Sequence, residues 1–217
     1  MRYRAAHLLA VLAVLAAPAA AHAVSVLALS ELSSDETPAA LFTGRLTFTV
    51  SGDSLVLDIA NNTAAPTEFF INQVYFNATA NVTGLTLADP VEGWTLVFGE
   101  DVEKANGFGY FDAKLATGDH DFEVAPGATK TFSFDIQGLA PLTDADFVTE
   151  LSARGNPSTL GAAKFVRGPD DDSGFGSGLL TPPPIIPEPP IPEPLTLTAC
   201  LLGFGALGLK ARRRMRG

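Results

Sequence analysis

Apolar and polar residues alternate over several short stretches in the middle of the chain. In residues 46–50, 55–59 and 132–136 the first, third and fifth positions are apolar, and polar residues fill most of the positions between them. Successive side chains of a β-strand point to opposite faces, so this period places the apolar side chains on one face of each strand. No long stretch shows the period of an amphipathic helix. The middle of the chain is therefore predicted to consist of strands packed on a core.

Clusters of turn-forming residues separate further strand candidates, and Thr143 to Asp146 carry the chemistry of a helix cap that could start one helical turn within 142–150. Many short strands without a long helix indicate an all-β fold, an antiparallel β-sandwich of about 8–10 strands over residues 24–175. The further strands are predicted at 69–76, 85–88, 94–98, 109–113, 122–124, 147–153 and 162–167.

The predicted β domain contains no cysteine, because the single cysteine of the chain is Cys200. Its stability must come from its core alone. A domain of about 150 residues buries roughly 70% of its unfolded surface, which suffices for such a core. Trp94 is accordingly interpreted as a core residue. The alternative is an exposed platform on which a sugar ring stacks.

The first 23 residues have the three parts of a secretory signal peptide. Arg2 and Arg4 supply the positive start, residues 8–17 the apolar run, and Ala21 and Ala23 the small residues of a cleavage site. Signal peptidase is expected to cut after Ala23. A transmembrane helix is the alternative, but ten strongly apolar residues are too few to span about 30 Å of hydrocarbon.

The C-terminal part changes composition abruptly. Residues 176–191 are rich in glycine and proline, which predicts a stiff stalk without helix or sheet. Residues 195–209 carry no charge and predict a single apolar helix, too short for a durable membrane anchor. A basic cluster follows and predicts that the tail is cytoplasmic while the β domain lies outside. Its members are Lys210, Arg212, Arg213, Arg214 and Arg216.

The order of Pro192-Glu193-Pro194, an apolar segment and an arginine cluster resembles the sorting signal of the PEP-CTERM family. The resemblance covers residues 192–217; an earlier Pro-Glu-Pro at 187–189 is assigned to the stalk. It implies an exosortase, a membrane-embedded protease or transpeptidase, as partner. It also implies a Gram-negative host that exports polysaccharide, with transient anchoring in the inner membrane before release to the cell surface or extracellular matrix. A plain tail anchor with a proline-rich stalk is the alternative.

Charge is concentrated in the middle of the chain. Residues 24–194 hold all 24 acidic residues and seven of the 14 basic ones, a formal net charge of −17. Such a domain is repelled by nucleic acid, which excludes that class of partner. Solubility outside the cell and cation binding are the two interpretations of the excess.

Residues able to carry catalysis are scarce in the predicted domain. His120 is its only histidine, which excludes a metal site of several histidines and restricts any catalytic triad to that residue. Asp170, Asp171 and Asp172 are the best candidates for a calcium ion, since clustered carboxylates suit hard cations, and a solvated acidic linker is the alternative. No other cofactor is expected.

These observations favour a non-catalytic structural or adhesive protein of the extracellular matrix. An acidic domain, a stiff stalk and a core-like aromatic pattern require display and nothing more. A carbohydrate-binding module that retains exported polysaccharide is the alternative, and it requires exposed aromatic side chains. An enzyme is not expected.

Overall fold

The computed structural model describes residues 24–32, 42–64 and 68–181 of the 217-residue chain. Three short 3-10 helices, at His120–Phe122, Asp144–Phe147 and Pro169–Asp171, accompany ten strands. The strands are β1 (Val24–Leu32), β2 (Gly44–Ser51), β3 (Ser54–Asn61), β4 (Phe70–Phe76), β5 (Val82–Leu87), β6 (Trp94–Ala105), β7 (Gly109–Thr117), β8 (Thr129–Gly138), β9 (Gly161–Val166) and β10 (Gly174–Thr181).

All ten strands belong to one sheet, in the order β5-β8-β3-β2-β1-β10-β9-β4-β7-β6. Every neighbouring pair is antiparallel. The all-β, antiparallel prediction and the approximate number of strands are confirmed. The predicted division into two stacked sheets is not what the structure shows, because the ladder is continuous and the sheet curves into a nearly closed, barrel-like form.

The pairing of β1 with β10 makes the sheet continuous. β1 pairs with β2 on one side and with β10 on the other, and β10 pairs in turn with β9. Leu27 lies opposite Leu180, so residues more than 150 positions apart form one ladder. Without this pair the strands would separate into two groups of five, the two-sheet arrangement of a β-sandwich.

The last strand extends to Thr181, beyond the domain boundary predicted at residue 175. Residues 176–181, assigned from sequence to the stalk, therefore belong to the sheet. Close packing favours glycine here, because a Cβ on Gly176 would lie 3.1 Å from the Phe165 ring and 3.2 Å from the Phe42 ring. The glycines that suggested a spacer instead let a strand pass over large core side chains.

The main core lies inside the curve of the sheet and is rich in phenylalanine. Phe76 of β4 packs edge-on against Phe48 of β2 and Phe134 of β8, with ring centroids 5.5 and 6.4 Å apart. Because β4 is far from β2 and β8 in the ladder, these contacts cross the interior of the sheet. A smaller cluster is formed by Tyr75, Ala105, Phe108, Phe111, Ala162 and Phe175.

The segment after residue 141 differs in part from its prediction. The helical turn expected within 142–150 is present as the 3-10 helix Asp144–Phe147, capped by reciprocal hydrogen bonds between Thr143 and Asp146. The strand predicted at 147–153 is wrong, since the only ladder contact there is an isolated bridge between Ala153 and Tyr110. The capped turn buries Phe147 in the core, so this side chain reaches the core without a strand.

A chain that ends at Phe175 is expected to lose its cooperative fold. Removing the rest of β10 uncovers Leu27, Phe42 and Phe165, and burial of each such side chain is worth about 1.5–3 kcal/mol. Their sum is comparable to the whole stability of an ordinary domain. Circular dichroism and thermal unfolding of residues 24–175 and 24–183 provide the measurement. Equal melting temperatures for the two fragments would contradict the role given to β10.

Candidate functional site

The edge strand β6 bulges where it passes Asp112 of β7. Phe98 lies opposite Ala113 and Glu103 opposite Phe111, so four residues of β6 face the single residue Asp112. Asp101, at the centre of the bulge, has a φ of +50°, in the left-handed region that most residues avoid. The extra length turns this part of β6 away from the ladder and opens space above β7.

The side chain of Asp112 holds the bulge in place. Its Oδ1 accepts a hydrogen bond from the backbone N–H of Asp101 at 2.9 Å, and its Oδ2 accepts one from that of Ala78 at 3.1 Å. Its own backbone N–H donates to Oδ1 of Asn77 at 3.1 Å, and Asn77 Nδ2 donates to the carbonyl of Glu150 at 3.2 Å. Asp112 thus joins β6, the residues after β4 and, through Asn77, the segment around Glu150.

These elements enclose a cleft of about 490 Å³ whose charged lining is entirely acidic. Burial, together with the charges of Asp112, Asp101 and Glu100, raises the pKa of Glu150 above its usual value. The lining carboxylates belong to Glu100, Asp101, Asp112 and Glu150, and none of the lining residues is basic. We call this space the acidic cleft. Its negative potential suits a cationic group.

The carboxylates of the acidic cleft differ in their hydrogen bonds and in their exposure. Each carboxylate oxygen of Asp112 already accepts a hydrogen bond from a backbone N–H. Within residues 24–32, 42–64 and 68–181, no group of three His, Cys, Asp or Glu side chains is arranged to hold a metal ion. Glu100 and Glu150, both exposed, are the carboxylates whose replacement disturbs the fold least.

The three aspartates predicted to bind calcium form a tight turn between β9 and β10. Asp170 and Asp171 have φ values of +60° and +61°, and the backbone N–H of Gly168 donates to the carbonyl of Asp172 at 2.9 Å. Asp170 and Asp171 are exposed. Among the described residues, these three carboxylates are not arranged to hold a metal ion. Calcium binding at this turn stays a prediction.

Trp94 is a core residue, as predicted. Its side chain is 5% exposed, its ring centroid lies 5.0 Å from that of Phe132, and its Nε1–H donates to the carbonyl of Phe122 at 2.8 Å. A buried indole with its donor already paired has no free face for a sugar ring. The structure therefore removes the residue on which the carbohydrate-binding alternative depended.

His120 lies at the surface, at the start of a 3-10 helix, with 72% of its side chain exposed. Its Nδ1 is 3.1 Å from Oε1 of Glu123, a carboxylate that is 2% exposed and also pairs with Arg167 at 2.7 Å. The Arg167 guanidinium lies 3.7 Å above the centre of the Phe70 ring. Among the described residues, no serine hydroxyl is hydrogen-bonded to His120, so this cluster is a structural ion pair rather than a triad.

The predicted processing sites lie outside the residues that the structure describes. These are the cleavage residues Ala21 and Ala23, the Pro192-Glu193-Pro194 motif, the apolar helix at 195–209, and the basic cluster from Lys210 to Arg216. In the described part of the chain, no helix is sufficiently long and apolar to cross a membrane.

Searches against protein family models, curated proteins and solved structures find no match to this chain.

The acidic cleft is not evident from the sequence. The predicted strand ends at Phe98 and the next begins at Gly109, whereas β6 continues through the bulge to Ala105. Gly99-Glu100-Asp101 resembles a turn locally, and it is Asp112, from another strand, that keeps it in the sheet. The one available signal was the placement of Glu100 and Asp101 directly after an apolar alternation.

Replacing Glu150 with glutamine is expected to stabilise the protein slightly at pH 7. The raised pKa of Glu150 means that the folded state holds its proton more tightly than the unfolded state does. The stabilising contribution is present at low pH and is lost as the pH rises through the folded pKa. The gain at pH 7 should not exceed about 0.5 kcal/mol, because solvent screens an exposed carboxylate.

Urea unfolding of Glu150→Gln and of the unchanged chain at pH 7 and at pH 3 measures this effect. The difference should vanish at pH 3, where the carboxylate is protonated in both states. Glu68→Gln, which removes an exposed carboxylate outside the cleft, is the matched control. A Glu150→Gln variant less stable than the unchanged chain at pH 7 would show that the cleft carboxylates do not repel one another.

Proposed function

We propose that this chain is an exported, exosortase-processed protein of the cell surface or extracellular matrix, with a structural or adhesive role and no catalytic activity. The observation that carries the proposal is the order of Pro192-Glu193-Pro194, an uncharged segment and a basic cluster. The fold supports it with an antiparallel β domain that lies between the two proposed signals in the chain.

The surface of the described domain favours display over sugar binding. Its exposed large apolar side chains are all aliphatic, and every described aromatic side chain is buried or only partly exposed. Stacking on a sugar ring requires an open aromatic face. Phe70, one of the partly exposed aromatics, is already covered by Arg167. Most of the described aromatic residues therefore serve the core, and the described surface offers mainly charge and aliphatic carbon.

A purely structural role agrees with the scarcity of catalytic groups. The acidic cleft lacks a histidine and a basic residue among its lining side chains, and His120 is engaged with Glu123 elsewhere. We include no cofactor in the proposed function. The partners are signal peptidase and the exosortase, and the inner membrane is a transient location before surface display.

Processing is expected to remove the apolar segment and the basic cluster in a host that makes an exosortase. Intact-mass measurement of the surface protein should give a chain without residues 195–217. Glu193→Ala should keep the tail, because it alters the motif beside the apolar segment. Glu188→Ala, in the earlier Pro-Glu-Pro, is the matched control and should still be processed. Surface protein that retains Met215 and Arg216 would contradict processing and support a tail anchor.

The purified protein is expected not to bind the host's own exopolysaccharide in a saturable manner, because every described aromatic side chain is buried or only partly exposed. Isothermal titration with and without calcium measures this, and an Asp170→Asn/Asp171→Asn/Asp172→Asn variant controls for a contribution from calcium. Saturable binding without calcium would contradict the structural role and favour the carbohydrate-binding alternative. Binding that requires calcium and fails in the triple variant would instead assign a calcium site to the turn.

A further inference from the structure

The nearly closed sheet has two open edges, and they face each other. β5 and β6 are the two ends of the strand order, and they approach each other in space. Among the described residues no hydrogen bond joins the two strands. Ala88, directly after β5, donates its backbone N–H to Ser133 of β8 at 2.9 Å. In an antiparallel ladder the N–H and C=O groups of successive residues point alternately towards and away from the partner strand. Those of Leu85 and Leu87 therefore point away from β8.

A groove follows both open edges. A cleft of about 460 Å³ lies between β5 and the first half of β6, and it shares Phe98 with the acidic cleft. We call the two together the edge groove. One end is apolar, with Leu85, Leu87 and Leu96, and the other is the carboxylate end already described. Val97 of β6 is 42% exposed, which adds apolar surface beside the groove.

We propose that the edge groove binds an extended, basic polypeptide segment of a partner protein, which adds to the sheet as a further strand. Unpaired backbone groups of an edge strand are a template for another strand, and they supply affinity independent of sequence. Alternate side chains of the added strand supply the specificity. Apolar ones cover the leucines, and lysine or arginine side chains reach Glu100 and Glu150 at the acidic end.

Charge complementarity selects this occupant over a second copy of the chain. A copy that docked its own β6 would bring Glu100 and Asp101 towards the same carboxylates in the groove, and like charges on paired strands are destabilising. The wider domain, with 22 acidic and seven basic residues in 24–181, adds to that repulsion. Burial is the main cause of the raised pKa of Glu150, and the neighbouring carboxylates add to it; a basic segment relieves that second contribution. The proposal concerns only this surface and does not depend on how the chain is exported.

The test uses the full chain in a non-ionic detergent and a synthetic peptide of about eight residues in which valine and lysine alternate. Hydrogen exchange followed by mass spectrometry should show slower exchange of backbone amides in β5 and β6 when the peptide is present. A peptide of the same sequence, N-methylated at alternate residues, keeps the charge but cannot form a ladder, and should not slow this exchange.

Groove variants test the charge contribution. Glu100→Gln/Glu150→Gln should weaken binding of the alternating peptide by about fivefold, the effect of two partly screened ion pairs. Glu68→Gln/Asp53→Asn removes the same charge from residues outside the groove and should leave the affinity unchanged. Thermal unfolding of both variants checks that the fold is kept.

Three results would overturn the proposal. Equal binding of the N-methylated peptide would show that charge alone holds it. Equal weakening by the two double variants would show that the net charge of the protein, and not the groove, attracts the peptide. A concentration-dependent dimer that protects β5 and β6 without any peptide would assign the groove to a second copy.

Discussion

The pairing of β1 with β10 is the interaction on which the rest of the structure depends. It joins strands from opposite ends of the described chain and converts two groups of strands into one ladder. Once β1 pairs with β10, β5 and β6 are the two strands of the described sheet with open edges, and the curvature of the sheet brings them near each other. The position of the edge groove is therefore a consequence of a contact made elsewhere in the sheet.

The core takes up most of the described aromatic side chains, so few of them are left on the surface. A domain without disulfides must bury enough apolar area to offset the loss of chain entropy, and this one does so with phenylalanines that meet across the interior. Trp94 is used in the same way, with its indole N–H bonded to the backbone. What remains on the described surface is mostly charge and aliphatic carbon, which is compatible with the display proposed for this domain.

The acidic cleft depends on a single side chain placed by tertiary structure. Asp112 accepts hydrogen bonds from the bulge of β6 and from Ala78 after β4, and so keeps Glu100 and Asp101 beside Glu150. Like charges are held close because these hydrogen bonds fix the position of Asp112 between the two segments. The repulsion that remains is a local cost to stability, and a bound cationic group would relieve it.

Composition and a period of two were sufficient to predict the all-β character, the absence of disulfides, the acidic excess and the alternating strands β2, β3 and β8. The two strands that close the sheet were missed, and β10 was partly assigned to a spacer on account of its glycines. Which strands pair, how far β10 extends and which carboxylates meet were decided only by the tertiary structure. A local pattern specifies which face of a strand is buried. The partner of that strand depends on residues distant in the chain, as the pairing of Leu27 with Leu180 shows.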